Sequence, residues 1–409
     1  MQLRLSNDAD NNTYDLLRQA LLRKIQKGSD RGVFTELFLW YYIQLKDFDN
    51  AFTQAKSLDM RYREDGGRIM DLADLAMANE QYNAAVQCCQ YLISKGDRHP
   101  FYMSARMKLL DAMKRKITTG IGYTTSDLLS LESDYRKTLD ELGRSYNTMP
   151  LYLGLAHLQA FYLGKPDQAQ SLLEEAVKIP GVKPSSMAEC KLELADILLF
   201  RNDIWEATLL YSQVEKAFKE DPLGQEAKFR NARLSFYNGE FEWALAQLDV
   251  LKSATSQLIS NDAIALGLII TDNTAFDTTT DALMLYARAD LLAYQNKDSS
   301  ALILLDSILK AFPGHPMDDD AIYKQYTIFK KQGKLQQCAA ALQKLLIDYP
   351  TGVLADDAMY HLALLQENAF NDPAKAMDLY QKLLTNYPSS SFVVDARRRF
   401  RALRGDQLN

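Results

Sequence analysis

One small residue returns at a fixed place in a repeated pattern along this chain of 409 residues. Each copy follows a turn and opens an apolar run, and several runs end in Pro, as at Tyr349-Pro350 and Tyr387-Pro388. Neighbouring copies are mostly 34, 37 or 38 residues apart, and they stand at Ala51, Ala85, Ala169, Ala207, Ala244, Ala301, Cys338 and Ala376. Units of this length cannot bury their apolar faces alone and therefore stack on one another. The pattern predicts an all-α repeat solenoid.

The apolar runs have the period of a helix. Within Ala301–Lys310, positions 301, 304, 305, 308 and 309 are apolar and fall on one helix face. The same face recurs in the runs that begin at Cys338 and Ala376. Gly239 and Gly333 stand between paired runs, where a turn between two helices often requires a positive φ. The sequence therefore predicts antiparallel helix pairs, about nine in all.

Composition and motifs restrict the function. The net charge of −6 argues against nucleic acid as the main partner, because binding to phosphates needs a basic face. No stretch reaches the roughly 18 consecutive apolar residues that a membrane span requires, so no integral membrane segment is expected. We find no Gly-rich phosphate loop, no paired-His metal motif and no nucleophile elbow. The sequence thus predicts no catalytic, cofactor or metal residue, and not an enzyme.

Two sets of residues that often bind metals have simpler interpretations. The cysteines lie in apolar helical patterns without a C-x-x-C motif, which favours buried free thiols; they are Cys88, Cys89, Cys190 and Cys338. Asp318–Asp320 comes at the start of a predicted helix, where carboxylates offset the positive end of the helix dipole. A divalent cation is the alternative interpretation of that acidic run.

The last units resemble the tetratricopeptide repeat. The residues that carry the resemblance in the final unit are Tyr360, Ala363, Leu364, Ala376, Tyr380, Leu383 and Pro388. In that family, small residues at the eighth and twentieth positions allow the two helices to cross closely. The eighth position is met by Ala73, Ala195, Ala232 and Ala289. The resemblance extends from about Thr35 to Pro388 and implies a right-handed superhelical solenoid.

Two places depart from the period and suggest a domain boundary. Residues 101–149 form one elongated unit, and the spacing from Ala244 to Ala301 is 57 residues instead of 37 or 38. The longer spacing predicts an extra helix over 257–270 and a polar loop over 271–280. We therefore predict an N-terminal solenoid domain over 1–270. A C-terminal domain over 281–409 would hold three units and a capping helix that contains the basic run Arg397–Arg401.

The C-terminal units, with their Tyr-Pro endings, resemble bacterial envelope proteins of the tetratricopeptide family. This resemblance implies a periplasmic location if a leader has been removed, and a cytoplasmic location otherwise. The helix predicted near Tyr14–Lys27 looks like the second half of a unit, which favours truncation.

The resemblance also implies a binding groove. In this family the first helix of each pair lines a concave groove, and its groove positions fall here on Phe161, Tyr162, Phe200, Phe229, Arg233, Phe236, Tyr237, Tyr286, Tyr294 and Tyr323. Aromatic and Arg residues dominate interface hot spots. The family therefore implies a non-catalytic scaffold or adaptor that binds a peptide or helix of another protein in this groove. Packing between helices is the alternative interpretation of each ring.

A second function of a different class stays open. An envelope protein of this type could hold a glycan or another small molecule in the groove. Stacked sugar binding would need solvent-facing Trp or Tyr rings. However, Trp205 and Trp243 lie beside the recurring Ala, where we expect burial. Nothing in the sequence indicates a homo-oligomer.

Overall fold

The computed structural model describes residues 11–26, 31–119, 124–254, 256–274 and 279–406. The chain divides into two compact units, which we call unit 1, ending at Leu158, and unit 2, Gln159–Asp406. The predicted domain boundary at 271–280 falls inside unit 2. Residues 275–278 of this boundary lie outside the described residues, and so do residues 1–10 and 407–409 of the two predicted domains.

Unit 1 is built from successive helices, each packed on the next from α1 to α8. The helices are α1 (Asn11–Gln26), α2 (Arg31–Gln44), α3 (Phe48–Tyr62), α4 (Gly67–Ala78), α5 (Tyr82–Ile93), α6 (Tyr102–Thr119), α7 (Thr125–Leu142) and α8 (Met149–His157). A short 3₁₀ turn, Tyr146–Thr148, precedes α8, and a π-helical turn, Leu158–Tyr162, follows it. Residue 27 of the helix predicted near Tyr14–Lys27 and residues 120–123 between α6 and α7 are outside the described residues.

Unit 2 continues the series of helices. They are α9 (Pro166–Ala176), α10 (Pro184–Arg201), α11 (Ile204–Ala217), α12 (Pro222–Tyr237), α13 (Phe241–Leu251), α14 (Gln257–Thr274), α15 (Asp281–Tyr294), α16 (Asp298–Ala311), α17 (Met317–Lys331), α18 (Leu335–Asp348), α19 (Ala355–Asn368), α20 (Pro373–Asn386) and α21 (Val393–Arg404). Five antiparallel pairs form within it, α10–α11, α12–α13, α15–α16, α17–α18 and α19–α20.

The recurring small residue explains why the pairs close. All eight copies, from Ala51 to Ala376, have no exposed surface, and each lies in the first turns of the second helix of a pair. A side chain of this size lets two helix backbones approach closely, and a larger one would create overlap. Gly239 and Gly333 have φ of 80° and 69° in the turns, as the pattern predicted. The predicted all-α repeat fold is therefore confirmed.

Helix starts carry the expected capping groups. The side chain of Asp221 accepts a hydrogen bond of 2.9 Å from the backbone N–H of Leu223, and Pro222 occupies the first helical position of α12. The side chain of Asp372 likewise accepts a hydrogen bond of 3.0 Å from the backbone N–H of Lys375, and Pro373 occupies the first helical position of α20. Each cap satisfies a backbone donor that has no partner within the helix, and so it fixes where the helix begins.

Helix α14 changes the stacking at one point of unit 2. Elsewhere the second helix of a pair packs on the first helix of the next pair, as α11 packs on α12. Here α13 packs on α14, while α15 still packs on α12. The extra helix therefore packs mainly on α13 and also contacts α12, α15 and α17, all of which are first helices.

Candidate binding surfaces

The first helices of unit 2 form one continuous face, which we call the inner face. Along it α10, α12, α15 and α17 contact one another in succession. All of the predicted contact residues belong to unit 2, but Phe236, Tyr237 and Tyr286 lie in its core. Phe236 has 0% of its surface exposed, so its ring has nothing to offer a partner. The half-buried candidates are Phe161, Tyr162, Phe200, Phe229, Arg233, Tyr294 and Tyr323.

Several of these rings pack against each other. The ring centroid of Phe161 is 5.3 Å from that of Phe200 and 6.0 Å from that of Tyr294, both in edge-to-face geometry. Tyr294 also lies 6.5 Å from Tyr237. Aromatic pairs at such distances stabilise a fold beyond their area burial. The structure thus brings together rings from α10, α12, α15 and the π-helical turn.

Tyr323 and Phe229 lie apart from this ring cluster. The ring of Tyr323 is 5.4 Å from Tyr326 and 6.4 Å from His361, in the next part of the stack. Phe229 packs on the core of α10 to α17 while keeping part of its surface exposed. The predicted residues therefore do not form a single site.

Hydrogen bonds close the inner face between α10 and α15. The side-chain amide of Gln295 donates to the carbonyl of Leu199 at 3.5 Å, and that of Asn296 donates to the carbonyl of Phe161 at 2.6 Å. Both donors follow α15, and Leu199 lies in the last turn of α10. Four helices, α11 to α14, separate these two helices in sequence. At this end of the inner face the protein's own groups bond one another across the face.

A network of charged side chains also connects α10 to α12. Asp196, whose side chain is 13% exposed, accepts hydrogen bonds of 2.5 Å from the Tyr211 hydroxyl and from the Arg230 guanidinium. Burial raises the pKa of Asp196, although Arg230 and Arg233 oppose the shift. Arg230 also pairs with Glu226 at 2.7 Å. Because each charged group satisfies another, the network fixes helix packing.

Arg233 extends the network toward the rings. Its guanidinium lies over the ring of Tyr294, 5.2 Å from the centroid, a cation–π geometry. Its buried Nε has no hydrogen-bond acceptor among the described residues. The Tyr237 hydroxyl donates to Asp290 at 3.2 Å, and Asp290 pairs with Lys324 of α17. Arg233 and Tyr237 thus take part in contacts that link three first helices, α12, α15 and α17.

Two exposed indoles lie on a different part of unit 2. Trp205 is 85% exposed and Trp243 is 61% exposed. The expectation that they would be buried beside the recurring Ala is wrong. Successive helix residues point about 100° apart, so the residues just before Ala207 and Ala244 turn away from the partner helix. The two indoles belong to the starts of α11 and α13, neighbouring second helices.

The indoles border two adjoining cavities of about 610 Å³ each. The first is lined by both indoles, by Asn202 and Asn238 from the turns before α11 and α13, and by Asn231 of α12. The second is lined by Trp243 and by Ile270 and Thr274 of α14, among others. Trp243 and Glu240 line both. The inserted helix therefore forms part of this surface.

Among the described residues, every charged side chain that lines the two cavities is acidic. These residues are Asp203, Glu206, Glu240 and Glu242. We call the two indoles and these four carboxylates the Trp surface. Asp203 is 3.4 Å from Arg201, and both of those side chains are well exposed. Among the described residues, the other three carboxylates have no ion-pair partner.

The residues considered for metals have protein partners. Asp318 accepts hydrogen bonds from the backbone of Gly314 at 2.8 Å and from the Tyr349 hydroxyl at 2.7 Å. The four cysteines are buried free thiols, as predicted. Within the part of the chain that the structure describes, no three His, Cys, Asp or Glu side chains are grouped as metal ligands would be. Among the same residues, none of the helices combines the length and the apolar character needed to cross a bilayer.

Comparison with known proteins identifies the repeat. Residues 357–390, which cover most of α19 and all of α20, match the tetratricopeptide repeat family model. No sequence among the curated proteins matches the chain. The same spacing of small residues and the same antiparallel pairs recur through both units. The chain therefore contains a tetratricopeptide repeat at residues 357–390, within a series of similarly built helix pairs.

Three solved structures to which the chain is similar illustrate the comparison. A thermophilic tetratricopeptide repeat protein of Thermus thermophilus is 21% identical over 49% of this chain and 98% of its own, with a TM-score of 0.36. A tetratricopeptide repeat protein from Parabacteroides merdae is 11% identical over 83% and 99%, with a TM-score of 0.25. The human IFIT1 dimer with m7Gppp-AAAA is 14% identical over 96% and 86%, with a TM-score of 0.35.

Proposed function

We propose that this protein is a non-catalytic scaffold that binds another protein through unit 2. Helical repeat proteins present extended surfaces that serve mainly in protein interactions. The observation that supports the proposal most is the Trp surface. Large exposed apolar side chains that are rimmed by polar groups mark interaction sites, and Trp is enriched among interface hot spots.

The inner face is the other place where a partner could bind. Phe200, Phe229 and Tyr323 keep part of their surface exposed there. However, the hydrogen bonds from Gln295 and Asn296 join the end of α15 to α10 and to the π-helical turn across that face. A peptide that entered at this end would compete with these bonds, whereas both indoles of the Trp surface are exposed. The Trp surface is therefore the preferred contact site.

One observation also favours the second function, the binding of a glycan. Solvent-facing indoles bordered by carboxylate and amide side chains are what stacked sugar binding requires. Trp205 and Trp243 meet this requirement together with Asn202 and Asn238. The acidic rim nevertheless favours a protein partner, because a protein segment can supply the opposite charge that a neutral sugar lacks.

Cross-linking of the tagged protein in cell extracts, followed by mass spectrometry, tests the proposal. We expect a reproducible protein cross-linked near Trp205 and Trp243, and its loss in Trp205→Ala/Trp243→Ala. Melting should change little, since both side chains are exposed. Ile303→Ala/Ile347→Ala is the matched control, because it removes two exposed apolar side chains from later second helices.

Two results would contradict this assignment. Capture that is unchanged in the Trp variant but lost in Phe229→Ala would place the site on the inner face. Absence of any protein partner, together with quenching of the indole fluorescence by oligosaccharides, would establish the glycan function instead.

A further inference from the structure

We propose that the Trp surface binds a positively charged segment of the partner, with Arg or Lys side chains stacked on Trp205 and Trp243. This inference rests on the proposed function and names the chemistry of the partner. The occupant is an extended stretch of another protein that carries at least two basic residues.

The indoles supply the first reason. Trp is the best aromatic partner for a cation, and the cation–π contact becomes stronger when it is shielded from water. Trp205 and Trp243 line one cavity together, so one segment can contact both. Inside the fold, Arg233 over Tyr294 shows the same kind of contact.

The carboxylates supply the second reason. Glu206, Glu240 and Glu242 contribute three negative charges without a described ion-pair partner, and Asp203 contributes a fourth. No Lys or Arg of the described part of the chain lines either cavity. Like charges brought together across an interface are unfavourable, and opposite charges steer association. The surface therefore selects a basic segment and rejects an acidic one.

The size and the order of the cavities supply the third reason. Each has about 610 Å³, which is within the usual range for ligand pockets of about 300–1,000 Å³. Because Trp243 and Glu240 line both cavities, a chain that fills one continues into the other. Each cavity holds one long side chain, and the amides of Asn202 and Asn238 can bond the backbone of the segment.

The chain has a basic segment of its own, in α21. Most of those charges are already paired, since Arg399 contacts Asp395 and Glu367, and Arg404 contacts Asp406. Arg397 and Arg401 are exposed and one helical turn apart. A second copy of the chain, bound through α21, is thus a competing occupant of the Trp surface. Ultracentrifugation distinguishes this self-association from the binding of a partner protein.

Fluorescence anisotropy with labelled peptides on the full chain is the test. The probes are three fluorescein-labelled nonapeptides in which every second residue is Gly. The other positions are Arg and Lys in the basic peptide, Glu in the acidic peptide and Ser in the neutral peptide. We expect saturable binding of the basic peptide alone. Its Kd should rise at least tenfold in Glu206→Gln/Glu240→Gln/Glu242→Gln and in Trp205→Ala/Trp243→Ala. The control Glu174→Gln/Glu220→Gln/Asp348→Asn removes the same charge from exposed positions elsewhere in unit 2 and should leave the Kd unchanged.

Several outcomes would overturn the inference. They are equal binding of the Ser peptide, an unchanged Kd in the Glu→Gln variant, or binding of maltohexaose in place of the peptides. Self-association in ultracentrifugation that Arg397→Gln/Arg401→Gln abolishes would assign the surface to a second copy. A natural partner that needs both indoles but not the carboxylates would overturn this inference alone, whereas the absence of any partner would overturn the proposed function as well.

Discussion

The side-chain amide of Asn296, directly after α15, donates a hydrogen bond of 2.6 Å to the backbone carbonyl of Phe161, 135 residues earlier in the chain. Lys331 of α17 donates in turn to the Asn296 side-chain oxygen at 2.5 Å. One amide therefore joins the π-helical turn at the start of unit 2 to the first helices of two later pairs. In a solenoid whose units contact only their neighbours, such a bond would not form.

Removal of this amide should destabilise unit 2. Asn296 has a φ of 58°, so Asn296→Gly deletes the side chain and keeps the left-handed backbone. The matched control is Asn371→Gly, which has a φ of 51° in a later turn. We expect Asn296→Gly to lower the free energy of unfolding by about 1 kcal/mol more than the control, the usual net value of a hydrogen bond. Urea titration would measure both, and equal losses would show that the contact contributes nothing.

The Asp196–Arg230 pair should contribute more than any exposed pair. Asp196→Asn leaves the partly buried Arg230 with a weaker acceptor, although Glu226 remains bound to it. We expect a loss of roughly 2–4 kcal/mol, near the lower end of the values for broken buried pairs. The control is Asp167→Asn, which breaks a pair with Arg201 at 2.7 Å where Asp167 is 84% exposed, and should cost under about 1 kcal/mol. Equal losses in urea titration would contradict a structural role for the network.

Asp320 should make the stability depend on pH. Burial, and then repulsion from Asp319, raises the pKa of Asp320 to about 7, although Asn273 donates to it at 3.4 Å. An Asp in the unfolded chain titrates near 3.9. The pKa of Asp320 is higher in the folded protein than in the unfolded chain. Its contribution to the stability of the fold is therefore full below about pH 4 and is lost as the pH rises through about 7. Stability at pH 8 should therefore be lower than at pH 5.

The variant Asp320→Asn should remove this dependence. It keeps the shape and cannot ionise, so we expect it to be more stable than the natural protein at pH 8 by on the order of 2–4 kcal/mol. The advantage should disappear near pH 4. Asp348→Asn, which removes an exposed carboxylate, is the control. Thermal melts between pH 4 and 8 would decide, and parallel curves for all three proteins would contradict the burial argument.

The repeat architecture could be predicted because it depends on local features. The small size of Ala207 or Ala244 sets how closely the two helices of one pair approach, and those helices are adjacent in sequence. The helical period, the turn glycines and the capping Asp-Pro of α20 are equally local. Each therefore leaves a pattern that can be read without knowledge of distant residues.

The closure of the inner face could not be predicted in the same way. It depends on contacts between residues far apart in sequence, such as the hydrogen bond from Gln295 to Leu199. The aromatic positions were found, but their pattern does not separate a ring that faces a ligand from a ring that faces Tyr294. The exposure of Trp205 and Trp243 could have been inferred, since a helical projection turns both away from the buried Ala.

The electrostatic potential around the two exposed indoles can be measured by fluorescence quenching, without any ligand. The chain has three Trp, so in Trp40→Phe the emission comes from Trp205 and Trp243 alone. Because the described charged side chains that line the two cavities are all acidic, we expect caesium to quench this emission more than iodide does, each relative to N-acetyltryptophanamide. The difference should fall as salt is added, since ions at 0.1 M screen charges beyond about 10 Å.

Neutralisation of the carboxylates should then abolish the preference for caesium. Glu206→Gln/Glu240→Gln/Glu242→Gln in the Trp40→Phe background leaves both indoles in place and removes three negative charges, so the two normalised quenching constants should become nearly equal. Glu174→Gln/Glu220→Gln/Asp348→Asn has the same net charge and should retain the preference, because those positions line neither cavity. A preference that survives in the first variant would show that the protein's overall charge attracts caesium, and selection of a basic partner by this surface would lose its electrostatic basis.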